Sequence, residues 1–412
     1  MSGLEAKRMK LEGRNIICLA SAHWDSPAWV NSQHLMSRLA IKNRVLYIEP
    51  LSLRFPLGGK PDLGKLFYRL AGWFRKPRKI TDNLFVYAPI MIPLHRFRLV
   101  RLINRFLLRS MLRAVGRIYR FSDPVLWIFL PTGADLIGRL DEDIVIYHCV
   151  DNYSANPGVD REIVEQMERQ VLERADLVLA TSPSLREKCS GLNSNCHYLP
   201  NVADFAHFSL ALDPDTAVPS DLNTIPSPRA VFTGNVSGYK VDFELLRYAA
   251  SELPGISFVL IGLVGAGDPG SDPSVLDEQE NIHVMGVRDY LDLPAYLKGC
   301  DVGLIPFRIN ETTTGVFPMK FFEYLAAGKP VVTTGLPALE EYSEHCYIAR
   351  DRDTFVSLIR KSIEKVNEAM VETGIELAAD NSWYSRIEDI STIFQETMEA
   401  RDSDRALTEG TR

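Results

Sequence analysis

TTTGVFPMKFFEYLAAGKPVVTTGLPALEEY, residues 312–342, runs from a hydroxyl-rich loop through an amphipathic segment into a β-branched apolar run. Pro318 suits the first turn of a helix, where its missing N–H has no partner to lose. Phe321, Phe322 and Leu325 fall on an inward face, while Lys320 and Glu323 stand three residues apart and share the other face. Unpaired amides and the positive end of the helix dipole favour an anion at such a start. Gly315 lets the backbone approach a ligand closely. A lysine beside a phosphate and a carboxylate accepting ribose hydroxyls would account for the pair. An exposed salt bridge on an ordinary helix is the competing reading.

The same alternation of apolar run and helix extends in both directions. NIICLAS (15–21), RVLYIEP (44–50), PVLWIFL (124–130), DIVIYHCVD (143–151) and ADLVLATS (175–182) read as buried strands with helical patterns between them. Continuous apolar strands of this kind imply a parallel sheet covered on both faces. LDPDTAVPSDLNTIPSP (212–228) has no periodicity and reads as a linker. The alternation then restarts with RAVFTGN, ISFVLIG, NIHVMG, DVGLIPF and PVVTTG. The expected fold is α/β, with two tandem Rossmann-like doubly wound domains over residues 1–205 and 206–382. A C-terminal helix, 383–400, is expected to return to the first domain, and 401–412 to form a disordered tail.

Composition is ordinary for a globular chain of 412 residues, at 46% hydrophobic and 24% charged. No apolar run reaches the length of a membrane span, and MSGLEAKRMK lacks the apolar core of a signal peptide. The six cysteines are scattered without a CxxC pair, which favours reduced thiols in the cytoplasm. Net charge is −7, yet residues 51–120 hold 16 basic side chains against two acidic ones. Within that segment Arg101, Arg105, Arg109, Arg113 and Arg117 recur at four-residue steps beside Leu102, Ile103, Phe106, Leu107, Leu108 and Leu112. KLFYRLAGWFRKPRK (65–79) repeats this chemistry with aromatics. An amphipathic helix of this type suits an anionic lipid surface, with a solvated helix face as the alternative. Nucleic acid is not expected as a partner, because its recognition modules are absent and the rest of the chain is acidic.

PMKFFEYLAAGKPVVTT resembles the nucleotide-sugar-binding segment of GT-B glycosyltransferases, with their P-x-K-x-x-E-Y-x-A-x-G-K-P-V-V pattern. HLMSRLAIKNRVLYIEP, DIVIYHCVDNYSANPG, VLERADLVLATSPSL, YLPNVADFAHF and FTGNVSGYKVDFELLRYAA follow the order found in bacterial members of the teichuronic-acid and exopolysaccharide type. The resemblance covers roughly residues 15–395 and implies a GT-B fold. It implies ribose binding by Glu323, a diphosphate near Lys320, and donor contacts from Gly315, Val316 and Phe317. Many members carry a second glutamate eight residues before the ribose-binding one. Here that position is Gly315, and Glu311 lies twelve residues before Glu323. The resemblance also implies base readout by backbone after Gly286, at Val287 and Arg288.

The loop FTGNVSGYK (232–240) offers two glycines, Asn235 and Lys240 to a phosphate or to the transferred sugar. VLIGLVGAGDPGSD spaces its glycines as G-x-x-G-x-G and runs into Asp-Pro-Gly, so it is not a dinucleotide fingerprint. YHCVDNYS follows a strand and offers Asp151, then His148, as a base for an acceptor hydroxyl. Capping of the next helix is the alternative for Asp151. His23 and Asp25, in SAHWDSP, are expected on the acceptor side with the arginine stripe. The expected activity is metal-independent, cofactor-free transfer of a sugar from a nucleoside-diphosphate sugar. The expected acceptor is a glycan or lipid-linked glycan of cell-surface polysaccharide biosynthesis, reached by a cytoplasmic protein at the inner membrane face. A non-catalytic sugar-nucleotide-binding partner subunit and an NAD-dependent oxidoreductase are the rivals, the second opposed by the missing fingerprint.

Overall fold

The computed structural model describes residues 10–27, 29–50, 76–89, 98–265 and 272–409. These form two compact units. The first comprises residues 1–181, 185–199 and 387–412, and the second 182–184 and 200–386.

Among the described residues, the first unit is built on eight strands: β1 (Asn15–Leu19), β2 (Arg44–Ile48), β3 (Arg78–Lys79), β4 (Leu84–Tyr87), β5 (Val125–Ile128), β6 (Ile144–Cys149), β7 (Leu177–Ala180) and β8 (Cys196–Tyr198). Their order is β3-β4-β2-β1-β5-β6-β7-β8. Every pairing is parallel except that of β3 with β4. The helices α1 (Asn31–Leu39), α2 (Arg98–Ile118), α3 (Arg161–Leu172) and α4 (Pro183–Ser190) belong to the crossovers. Strands β4 to β7 are buried at every position, as the unbroken apolar runs require when helices cover both faces.

Among the described residues, the second unit carries six parallel strands in the order β11-β10-β9-β12-β13-β14. They are β9 (Arg229–Thr233), β10 (Ser257–Ile261), β11 (Ile282–Gly286), β12 (Val302–Ile305), β13 (Val331–Thr334) and β14 (Tyr347–Ala349). Its helices include α5 (Phe243–Glu252), α6 (Lys320–Ala326), α7 (Arg352–Glu364) and α8 (Glu368–Asp380). This is the Rossmann strand order, whose topological switch lies between the first and fourth strands. Here those are β9 and β12, so ligands are expected above their carboxyl ends.

Residues 212–228 depart from the reading as a linker. Leu222 is fully buried, and Asp221 accepts hydrogen bonds from Tyr296 Oη and Arg288 Nη2 at 2.9 Å each. The segment lacks periodicity because single residues, not a repeating face, hold it to the second unit. The final helix α9 (Trp383–Glu409) also runs past residue 400, where a tail was expected. Its first four residues belong to the second unit and those from Ile387 onward to the first. Ile390, Phe394 and Met398 are buried at a four-residue spacing, each contributing about 1.5–3 kcal/mol by burial. The Arg14 guanidinium lies 5.6 Å from the Phe394 ring centroid. Thr397 Oγ1 accepts from Asn195 Nδ2 at 3.1 Å, and Arg401 Nη1 donates to the Asp143 carbonyl at 2.7 Å.

Candidate active site

The short helix α6 is placed by its apolar side chains. Phe321, Phe322, Tyr324 and Leu325 are buried, and Gly303 in β12 leaves room for the Tyr324 ring, which an added Cβ would meet at 2.4 Å. The Tyr324 hydroxyl accepts a hydrogen bond from the Thr233 amide at 2.9 Å, tying α6 to the end of β9. That attachment brings Lys320 over the first turn after β9. Its Nζ lies 5.4 Å from the Phe232 ring centroid. A Cβ at Gly234 would come within 2.6 Å of both Lys320 Cε and Nζ. Gly234 has φ +116, a backbone state that side chains other than glycine rarely adopt.

Three loops meet at this point. The Gly234 amide donates to the Ile261 carbonyl at 2.7 Å, and the Gly262 amide to the Gly286 carbonyl at 2.9 Å. A Cβ at Gly262 would stand 1.7 Å from the Gly234 carbonyl oxygen, so these turns can approach only as glycines. Lys240 completes the group from the loop after β9, and its charge acts on Lys320.

Lys320 and Glu323 are both partly buried. Among the described residues, neither side chain takes part in a hydrogen bond or an ion pair within 4.0 Å. Burial lowers the Lys320 pKa, and the neighbouring Lys240 charge lowers it further against the pull of Glu323. Burial raises the Glu323 carboxyl above its usual value, with Lys320 pulling the other way. Two charged side chains one turn apart on α6, without a hydrogen-bond partner and each shifted toward neutrality, are the kind of pair that a polar ligand can engage.

The loop ahead of α6 is held from behind. Ser182 Oγ donates to the Gly315 carbonyl at 3.1 Å, Ser184 Oγ to that of Thr314 at 2.8 Å, and Asn201 Nδ2 to that of Phe317 at 2.7 Å. Asn310 Oδ1 accepts from the amides of Thr312 and Thr313 at 3.0 Å each, and its Nδ2 donates to the Tyr239 carbonyl at 2.8 Å. None of these four side chains was selected from the sequence. Val316 and Phe317 point into the core, with Phe317 stacked on Phe322 at 5.6 Å, so only their backbone can meet a ligand. Arg288 is likewise engaged, with Tyr296 Oη and Asp221. Val287 is exposed after Gly286, whose φ is +73. Asn235 is exposed and accepts from Ser237 Oγ at 2.9 Å.

Residues 227–365, from just before β9 to just beyond α7, match the family described as glycosyl transferases group 1. The chain is also 25% identical over 289 residues, 66% of its length and 70% of the relative's, to TuaH of Bacillus subtilis, named for teichuronic acid biosynthesis. The chain is a glycosyltransferase. Its fold is GT-B. HepE of Anabaena, in complex with UDP and glucose, superposes with a TM-score of 0.61 at 16% identity over 95% of this chain and 100% of that one. Trehalose 6-phosphate synthase of Burkholderia multivorans superposes with a TM-score of 0.66 at 10% identity, over 94% and 100%.

In the first unit of the glycosyltransferase, the candidates separate. Asp151 stands in the turn after β6, partly exposed, and its carbonyl accepts from the Tyr153 amide at 3.1 Å. The cap of α3 is Asp160, not Asp151, so the capping role falls to another residue. His148 lies within β6 and is 3% exposed, stacked on Phe129 at 4.9 Å. Beneath the Asp151 turn sits a charged network. Glu168 is 3% exposed at its side chain and accepts from Lys188 Nζ at 2.5 Å and Tyr147 Oη at 2.8 Å. The same ammonium reaches Asn152 Oδ1 at 3.1 Å. Burial depresses the Lys188 pKa, but the charge and hydrogen bond of Glu168 more than reverse this, leaving it raised.

His23 and Asp25 are both engaged: His23 Nδ1 lies 3.2 Å from Glu49, and Asp25 accepts from Arg78 Nη2 at 2.7 Å. On α2, Leu108, Leu112 and Val115 are buried. Arg109 and Arg113 are partly buried, and Arg113 Nε donates to the Arg139 carbonyl at 2.8 Å. They flank the core face. The outward face carries Leu102, Ile103 and Phe106, exposed by 59%, 39% and 67%. The side chains of Arg101 and Arg105, and residues 65–75 of the second basic stretch, lie outside the described residues. Among the described residues, no helix is long and apolar enough to cross a membrane.

Proposed function

We propose that this glycosyltransferase moves a sugar from a nucleoside-diphosphate sugar to a hydroxyl of a glycan or lipid-linked glycan in cell-surface polysaccharide synthesis. The observation that carries the donor assignment is the pair of unspent charges, Lys320 and Glu323, above the β9/β12 switch point. In this reading Glu323 accepts hydrogen bonds from two ribose hydroxyls. Lys320 and Lys240 offset the charge that grows on the diphosphate as its bond to the sugar breaks. The exposed backbone at Val287 faces the base, Asn235 and the Gly315 loop face the sugar, and Asp151 takes the proton of the attacking acceptor hydroxyl. The complexes of HepE with UDP and with UDP-glucose support a uridine nucleotide as the first donor to try. The name of TuaH supports a polysaccharide acceptor.

The outward apolar face of α2 supports reversible contact with an anionic membrane, where a lipid-linked acceptor resides. The apolar residues, rather than Arg109 and Arg113, are the anchoring groups in this version of the stripe.

A thermal-shift screen of the whole chain against nucleotide sugars tests the donor assignment. One or a few should raise the melting temperature saturably. Glu323→Ala should remove that shift, with a loss of roughly 1–3 kcal/mol in binding. An Ala variant that binds the same nucleotide sugar as tightly as wild type refutes the assignment.

A further inference from the structure

A cavity of about 450 Å³ opens in the second unit over the carboxyl ends of β12, β13 and β14, beside the first turns of α5 and α7. Four guanidiniums surround it, those of Arg247, Arg308, Arg350 and Arg352. Gathering four like charges is unfavourable unless something answers them, and here carboxylates and solvent share that role, the Arg308, Arg350 and Arg352 side chains being 43%, 72% and 68% exposed. Arg247 Nε donates to Glu244 at 3.0 Å while its Nη1 lies 3.7 Å from Glu278, and Arg350 Nη2 donates to Glu340 at 2.9 Å. Arg308 and Arg352 only approach Asp242 at 3.6 Å and Asp353 at 3.8 Å, with no hydrogen bond to either. A guanidinium has five N–H donors in a planar fork, so most of these donors have no protein acceptor and are open to solvent or a ligand.

The floor is of another character. Phe307 is 5% exposed, and the Tyr248 ring lies 4.4 Å beneath the Arg352 guanidinium. Asp242, Glu244 and Asp351 add acceptors to the lining. The volume falls in the range of small-molecule sites and is too large for a bare anion. The apolar lining of Leu245, Phe307 and Ile309 suits one face of a sugar ring, the carboxylates suit its hydroxyls, and the forks suit a phosphate or carboxylate substituent bidentately.

We propose that this cavity is a second binding site, for a sugar bearing a phosphate or carboxylate group. Its lining does not include Lys320 or Glu323, but it is joined to the loop that carries Lys240. Val241 bridges to Phe307, and the Arg308 amide donates to the Lys240 carbonyl at 2.8 Å. An anion held by Arg308 therefore bears on the segment that positions Lys240.

Calorimetric titration of the full chain tests this with four probes: mannose 6-phosphate, glucuronate, unmodified mannose and inorganic phosphate. At least one of the two acidic sugars should bind saturably with a Kd of about 1 mM or tighter, and at least tenfold tighter than mannose or phosphate alone. Whichever does so identifies the substituent. The double variant Arg308→Gln/Arg352→Gln should lose at least tenfold in that affinity while keeping its nucleotide-sugar thermal shift. Glu323→Ala should show the opposite pattern, which separates this site from the donor site. The proposal fails if neither acidic sugar saturates, if phosphate alone binds as well, or if the double variant binds the acidic sugar as wild type does.

Discussion

Replacing Gly234 by alanine probes the contact between the turn after β9 and the Lys320 ammonium, and its cost has two separable parts. The first is conformational. At φ +116 an alanine occupies a region used almost only by glycine, at a cost on the order of 1–3 kcal/mol. The second is local to Lys320. The new Cβ would stand 2.6 Å from its Cε and Nζ, so the ammonium must retreat by roughly 1 Å to reach ordinary contact. At an effective dielectric near 20, moving a unit charge from about 3 to about 4 Å from a phosphate loses about 1.4 kcal/mol, a tenfold change in Kd. Urea denaturation reads the first part and calorimetric titration with nucleoside diphosphate reads the second. A double-mutant cycle with Lys320→Ala separates them. In the Lys320→Ala background the stability cost should persist, while the affinity cost of Gly234→Ala should fall to near zero. An affinity loss of equal size in both backgrounds would show that Gly234 does not act through the ammonium.

Glu323→Gln should stabilise the unliganded protein, and only above the acidic range. The folded carboxyl is raised from its ordinary value near 4.5, so the folded state holds the extra proton and wild-type stability falls as pH rises from that value through the folded pKa. Thermal melts should therefore coincide near pH 4 and separate by pH 8 with the Gln variant higher; the reverse order at pH 8 contradicts the burial argument. Lys188→Met leaves the Glu168 carboxylate without its cation. It should cost about 2–3 kcal/mol in urea denaturation, low in the range for a broken buried pair because the ammonium is partly exposed. Glu168→Gln added to it should recover most of the loss, and a single variant as stable as wild type rules the pair out as a structural element. Asp151→Asn should keep donor affinity and lower turnover by about 10²–10⁴-fold, whereas full turnover removes it as the base. Leu102→Ser/Phe106→Ser should reduce sedimentation with phosphatidylglycerol vesicles at low salt without lowering donor affinity; unchanged sedimentation ends the case for α2 as the anchor.

The centres of both parallel sheets could be read from the sequence because strands such as β5, β6, β7, β10 and β12 are short apolar runs buried at every position, and such runs have few other uses. Lys320 and Glu323 were legible for a similar reason: two charges on an otherwise apolar segment contradict the local pattern. Gly234 carries as much of the site, but its meaning depends on Lys320, far along the chain, so the glycine alone looks like an ordinary turn. Ser182, Ser184, Asn201 and Asn310 were invisible because they hold carbonyls rather than showing a pattern of their own. The arginine stripe shows a subtler limit. A four-residue repeat places Arg109 and Arg113 on one side of a helix, but not beside the Arg139 carbonyl that takes a hydrogen bond from Arg113. His148 precedes the turn by a single residue, Cys149, which is also part of β6, and that is enough to keep it inside the sheet.

The division of α9 between the units has a consequence for synthesis. Everything else in the first unit has been synthesised by Leu199, yet the segment that pairs with Arg14, Asp143 and Asn195 begins at Ile387. The nascent first unit therefore waits, with the surface meant for Ile390, Phe394 and Met398 uncovered, while nearly two hundred further residues are translated. Premature termination or a stalled message would release a chain with that apolar strip bare, a form that chaperones and proteases are suited to recognise.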